Sequence, residues 1–207
     1  TLIKGVVIDE GFAPVESGDF EWESTYDHGI WTYDLADARE GLCQVLSQLK
    51  DREGLAAAGI SGMMHGYLAF DKDWNLLVPF RTWQNTITAD AAEQLTELFQ
   101  FNVPQRWSIA HLYQAILNGE PHVSQIAHIT TLSSYVHYML TGENVVGVGE
   151  ASGMFPIDSA TGDWNEEMLQ KFEQLTQDQP WNIRDVLPRV LLAGQDAGRL
   201  TASGSAW

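Results

Sequence analysis

The chain has 207 residues, 44% of them hydrophobic and 11% aromatic, and its 28 acidic against 11 basic side chains give a formal net charge of −17. That apolar content suits a packed globular protein rather than a disordered one, and the lack of any Lys/Arg cluster argues against nucleic acid and anionic membranes as partners. A nucleotide stays compatible, because backbone N–H groups and a metal ion can hold phosphate without a basic patch.

Cys43 is the only cysteine, so an internal disulfide framework and a cysteine zinc site are excluded. It lies in a helical pattern and reads as a small buried side chain. No apolar run reaches the roughly 20 residues of a membrane span and no basic-then-apolar leader opens the chain, so the cytoplasm is the expected compartment.

In chain order, "TLIKGVVIDE" is a β-branched run ending on Asp9, Glu10 and Gly11, which predicts a strand and a turn. "APVESGDFEWES" supplies a second strand. Leu35, Ala38, Leu42, Val45, Leu46 and Leu49 recur at helical period between Tyr33 and Lys50. "LAAAGISGMM" reads as a central strand ending at Ile60, and "GYLAFDKDWNLLVPFRTW" as two strands joined by a turn at Asp71 to Asn75. Helices are predicted from Thr86 to Gln100, Ser108 to Leu117, Thr131 to Leu140 with Gly142 as stop, and Asn165 to Leu175 after the turn "SATGDW". Strands come first and helices dominate later, with no repeat and no convincing linker, which favours one α/β domain with a helical extension.

Four stretches carry candidate chemistry. "GISGMMHG" at 59–66 would expose His65 at the carboxyl edge of a sheet, where ligands bind in open α/β folds; a lone histidine is more often structural. "VPFRTWQNT" gathers Arg81, Trp83, Gln84 and Asn85, an aromatic face with donors that suits a sugar, or else a strand end followed by Thr86 as a helix cap. "PQRWSIAHLYQ" sets Arg106 before a helix with Ser108 as its cap; the guanidinium would fork onto vicinal oxygens or bridge acidic groups. "GVGEASGMF" lacks the dinucleotide fingerprint, though its Glu150 could line a crevice. His28, His111, His122, His128 and His137 show no metal spacing and no nucleophile elbow is present, so a self-contained hydrolase ranks low.

Together these motifs resemble the amino-terminal domain of the FGGY family of carbohydrate kinases, most closely its xylulokinase-like branch. "TLIKGVVIDE" is similar to the end of the family's first phosphate loop and the strand after it. "GISGMMHGYLAFDKDWNLLVPFRTWQN" resembles the family's glycine-x-serine-glycine-glutamine-methionine-histidine-glycine stretch, hairpin and tryptophan-asparagine-aspartate. "YVHYMLTGE" and "EASGMFPIDSATGDWNEEML" resemble its next two segments.

The resemblance implies a ribonuclease H-like, actin-like α/β fold in which residues 1–207 form the sugar-binding domain, truncated at both ends and without the carboxy-terminal nucleotide-binding domain. It implies that Met64 and His65 floor a sugar pocket, that Arg106 reaches the sugar, and that Trp83 and Asn85 belong to the tryptophan-asparagine pair, with Thr86 where the family has aspartate. Thr1 and Lys4 would touch phosphate in the whole enzyme, which would use Mg-ATP to phosphorylate a ketose or polyol hydroxyl. The implied partners are the sugar and the protein's own second domain, and a homodimer is compatible. The family's general base falls outside these residues; "AGQDAG" at 193–198 opens a helical pattern and Asp196 is not taken for that base. The isolated segment is therefore expected to be inactive, with a non-catalytic sugar-binding module of the same fold as the alternative.

Overall fold

A computed structural model describes residues 1–50 and 54–207. The chain divides into two compact units, 1–59 and 60–207.

In the first unit, β1 (Leu2–Ile8) and β2 (Pro14–Glu21) form an antiparallel hairpin with Gly5 opposite Gly18. Its turn is closed by Asp9, whose Oδ1 accepts from the amides of Gly11 at 2.8 Å and Ala13 at 3.0 Å. A second hairpin pairs β3 (Thr25–Asp27) with β4 (Ile30–Tyr33). Helix α1 (Leu35–Gln48) starts at Asp34, whose carboxylate accepts from Ala36 N at 2.8 Å, the expected use of a short acidic side chain at an N-cap. Leu35, Ala38, Val45 and Leu49 are buried as the period predicts, but Leu46 is 39% exposed. Part of the helix's packing seam is glycine instead: a Cβ on Gly41 would stand 2.5 Å from Phe20 and 2.6 Å from Ile3. Cys43 is exposed, contrary to the expectation of a buried side chain, because it points away from that seam.

The expected central strand at 55–64 does not form among the described residues, and Leu55 and Ile60 are exposed at 51% and 38%. Half of the run is alanine and glycine, which have little to gain from a pleated ladder. The second unit's first strand is β5 (Leu68–Phe70), followed by a turn in which Asp71 Oδ1 accepts from Asp73 N and Asn75 N at 2.8 and 2.9 Å. The returning arm ends in β6 (Phe80–Arg81), where Tyr67 and Arg81 exchange backbone bonds of 2.8 and 3.2 Å, so the predicted hairpin is present.

Helix α2 (Ala89–Phe99) begins after Thr88 rather than at Thr86, which is exposed. Then follow α3 (Ser108–Leu117), a 3-10 turn (Pro121–Gln125), and β7 (His128–Thr130) antiparallel to β5. Helix α4 (Leu132–Thr141) is capped by Thr131 and stopped by Gly142 in the left-handed region. The remaining elements are β8 (Val145–Gly147), α5 (Val148–Ala151), the hairpin β9 (Ile157–Asp158) and β10 (Asp163–Trp164), α6 (Glu166–Leu175) capped by Asn165, α7 (Ile183–Val186), β11 (Arg189–Leu191) parallel to β8, and α8 (Ala202–Ala206). Helices thus dominate the later part of the chain, as expected, with the two- and three-residue strands β7 to β11 set among them. Residues 193–198 form a turn, not a helix start, and Asp196 Oδ1 accepts from Gly198 N at 2.9 Å.

The core of this unit gathers Leu95, Leu112, Met154, Phe155 and Phe172, all under 4% exposed. Beside it lies a buried polar cluster. The Arg81 guanidinium forks onto the Glu120 carboxylate, one arm at 3.1 Å, and stands 5.5 Å from the Tyr67 ring centroid. The Tyr67 hydroxyl bonds His122 Nε2 at 2.9 Å, and His111 stacks on Tyr67 at 6.0 Å. Burial opposes ionisation of Glu120, yet the Arg81 bonds outweigh it and hold the carboxyl below its ordinary range. Burial drives the His111 imidazole down to about 3, assisted by the Arg81 charge.

Two outcomes follow from that cluster. Arg81→Ala leaves a largely buried carboxylate without its cation and should destabilise by about 3 kcal/mol in urea unfolding. An unfolded chain protonates His111 near its ordinary pKa while the native state does so only near 3, so this group removes stability as pH falls through that window. The slope is up to about 1.4 kcal/mol per pH unit, and His111→Leu should flatten the acid limb correspondingly.

Candidate functional site

Residues 64–66 are fixed by two other segments of the second unit. Gly66, at φ 118°, donates its N–H to the Arg106 carbonyl at 3.1 Å, and its own carbonyl accepts from Ser108 Oγ at 2.8 Å. Only glycine fits: a Cβ there would lie 2.7 Å from the Arg81 carbonyl oxygen and 2.8 Å from the Phe80 ring. Ser108 is the first residue of α3 rather than its cap, a place held by Trp107; its hydroxyl serves Gly66 instead. The same helix start is tied to the turn after α5, since Ile109 N donates to the Met154 carbonyl at 3.0 Å.

That turn sets the imidazole. His65 Nδ1 lies 3.4 Å from the Gly153 carbonyl oxygen. A carbonyl only accepts, so Nδ1 carries the proton and the neutral ring leaves Nε2 as an acceptor. Burial lowers the His65 pKa, the Gly153 bond opposes this, and the Arg106 charge lowers it further. The ring is therefore held neutral beside an exposed guanidinium. One acceptor and one charged donor, on segments joined through Gly66, can recognise neighbouring hydroxyl groups. Gly153 permits the approach, because a Cβ there would stand 2.7 Å from His65 Nδ1 and 2.8 Å from the Met64 carbonyl oxygen.

The other sequence candidates fall as follows. Met64 is half-buried, next to His65. Trp83 is 51% exposed in the turn between β6 and α2. Asn85 is buried, with its amide donating to the Thr82 carbonyl at 2.9 Å. Arg81 is committed to Glu120. In the first unit, Thr1 shares a hydrogen bond with the Tyr33 hydroxyl, and Lys4 is exposed on β1 opposite Asp19. His65 does not occupy the carboxyl end of a strand, as the sequence suggested; it precedes β5 and owes its position to the Gly66 contacts.

Sequence reasoning missed Ser108 as a clamp and Gly153 as a clearance. The glycines following His65 and Ser152 were visible, but what a Cβ would strike there was not. Among the described residues no group of three or more His, Cys, Asp or Glu side chains could hold a metal ion, and no helix is long and apolar enough to cross a membrane.

Two measurements check this geometry. The His65 imidazole should titrate below the ordinary histidine value by NMR, with the proton on Nδ1 in the neutral form. Gly153→Ala should displace the ring and leave a mixture of tautomers in the 15N spectrum.

Comparison with known proteins gives a family match over residues 21–207, to the FGGY family of carbohydrate kinases, N-terminal domain. The xylulose kinase of Staphylococcus xylosus is 22% identical over 219 residues, covering 97% of this chain and 43% of that protein. Among solved structures, ligand-bound xylulose kinase from Lactobacillus acidophilus superposes with a TM-score of 0.82 at 18% identity, over 100% of this chain and 43% of that one. Gluconate kinase from the same organism gives 0.83 at 18% identity with the same coverage. The chain thus spans under half the length of these proteins, and its fold is their ribonuclease H-like, actin-like α/β architecture.

Proposed function

Because the chain belongs to the FGGY family of carbohydrate kinases, we propose that it is the sugar-binding part of an enzyme that phosphorylates a hydroxyl of a ketose or polyol. The observation that carries this reading is the neutral His65 held beside Arg106 by the Gly66 contacts. His65 Nε2 accepts from one hydroxyl, Arg106 donates to neighbouring oxygens, and Met64 packs against carbon. Trp83 offers an exposed aromatic face to the same class of ligand.

Carbohydrate kinases of this family use ATP, and Mg2+ is proposed to accompany it. The residues described here do not make that site by themselves. The Thr1 hydroxyl is engaged with Tyr33, Lys4 is a single exposed cation, and no acidic cluster suited to a metal occurs among the described residues. Phosphoryl transfer needs a base at the attacking hydroxyl and charge-stabilising groups around the phosphates. Residues 1–207 alone are accordingly proposed to give no turnover, the rest being supplied by further polypeptide of the parent enzyme in the cytoplasm.

A thermal-shift panel of ketoses, polyols and aldonates on the parent protein, followed by coupled ADP release, tests the reading. At least one ketose or polyol should stabilise the protein and be turned over. His65→Ala should weaken sugar binding about tenfold, the worth of one hydrogen bond to a bound hydroxyl, with nucleotide affinity unchanged; equal losses of both would count against it. Sugar affinity should also be level through neutral pH and fall in acid, where protonation removes the Nε2 acceptor.

A further inference from the structure

Glu150 has no role in the reading above, yet its carboxylate is held in an unusual way. No cation faces it. Its Oε2 accepts from Thr131 Oγ1 at 3.0 Å and from Ser133 Oγ, two hydroxyls of residues that are each 4% exposed. Thr131 is the N-cap of α4 and its Oγ1 also accepts from Ser134 N at 3.2 Å, so Glu150 rests on the first turn of that helix, where unpaired amides favour an anion.

Two backbone relations join this anchor to His65. The Glu150 carbonyl accepts from Gly153 N at 2.9 Å, closing the turn whose next carbonyl, that of Gly153, faces His65 Nδ1. Ser133 lies against the other end of the same loop, since a Cβ on Gly62 would stand 3.3 Å from the Ser133 Cβ and 3.4 Å from its amide nitrogen. The Glu150–Ser133 contact thus braces residues 62 to 65 from both ends.

We propose that Glu150 is a positioning residue for His65: its carboxylate, fixed by Thr131 and Ser133, holds the turn that presents the Gly153 carbonyl and so keeps the imidazole proton on Nδ1. The consequence for sugar affinity rests on the function proposed above; the consequence for the tautomer does not.

The test is 15N spectroscopy of His65 in the parent protein without sugar, combined with sugar KM and kcat. In Glu150→Ala the imidazole should become a mixture of tautomers, and KM should rise about tenfold with kcat within about twofold. Glu150→Gln keeps one oxygen able to accept from both hydroxyls and should restore most of the wild-type tautomer. Ser133→Ala, which removes one donor, should give an intermediate spectrum and serves in place of Glu150→Ala if that variant does not fold. A lower Tm with an unchanged His65 tautomer would reduce Glu150 to a tie between α4 and α5 and overturn the proposal. A changed tautomer with unchanged KM would leave the brace standing and count instead against His65 as a sugar ligand.

Discussion

Gly66 is gripped at both of its peptide groups by a segment 40 residues further along the chain, and the candidate site depends on that grip. The Arg106 carbonyl takes its N–H and the Ser108 hydroxyl bonds its carbonyl. Both contacts demand a left-handed backbone pressed against Arg81 and Phe80, where no Cβ fits. Since His65 immediately precedes Gly66 and Arg106 is itself the acceptor, one constraint sets the acceptor and the cation side by side. Ile109 and Met154 extend the same tie to the turn that orients the imidazole.

The Arg81–Glu120 pair serves this constraint from below. Arg81 forms the β-bridge with Tyr67, and its carbonyl lies where a Gly66 side chain would have to go. Breaking a buried pair of this kind leaves an uncompensated charge, whereas well-packed apolar replacements of both partners need not destabilise. The value of the pair to this fold is thus geometric as much as energetic: it fixes where Arg81 runs, and Arg81 fixes how tightly Gly66 must turn.

Much of the fold was legible where local chemistry decides it. The helices at 108–117, 132–141 and 166–175 follow from their apolar period together with Thr131, Gly142 and Asn165 at their ends. The hairpin about Asp71 follows from one short acidic side chain able to accept two amides. The run at 55–64 misled because apolar alanine and glycine resemble a buried strand without supplying the side chains that stabilise one. Ser108 misled for a different reason. A serine at a helix start usually caps it, and nothing nearby in sequence reveals an acceptor 42 positions away. His65 stands out in the sequence for a sheet-edge position, and the structure does not give it that position: it precedes β5.

The measurement that bears most directly on this arrangement is the sugar affinity of Gly66→Ala, read by calorimetry on the parent protein with a ketose or polyol that the wild type binds. A folded variant of lower Tm whose affinity has dropped by about tenfold or more is the predicted result. A folded variant that binds the sugar as tightly as the wild type would contradict it.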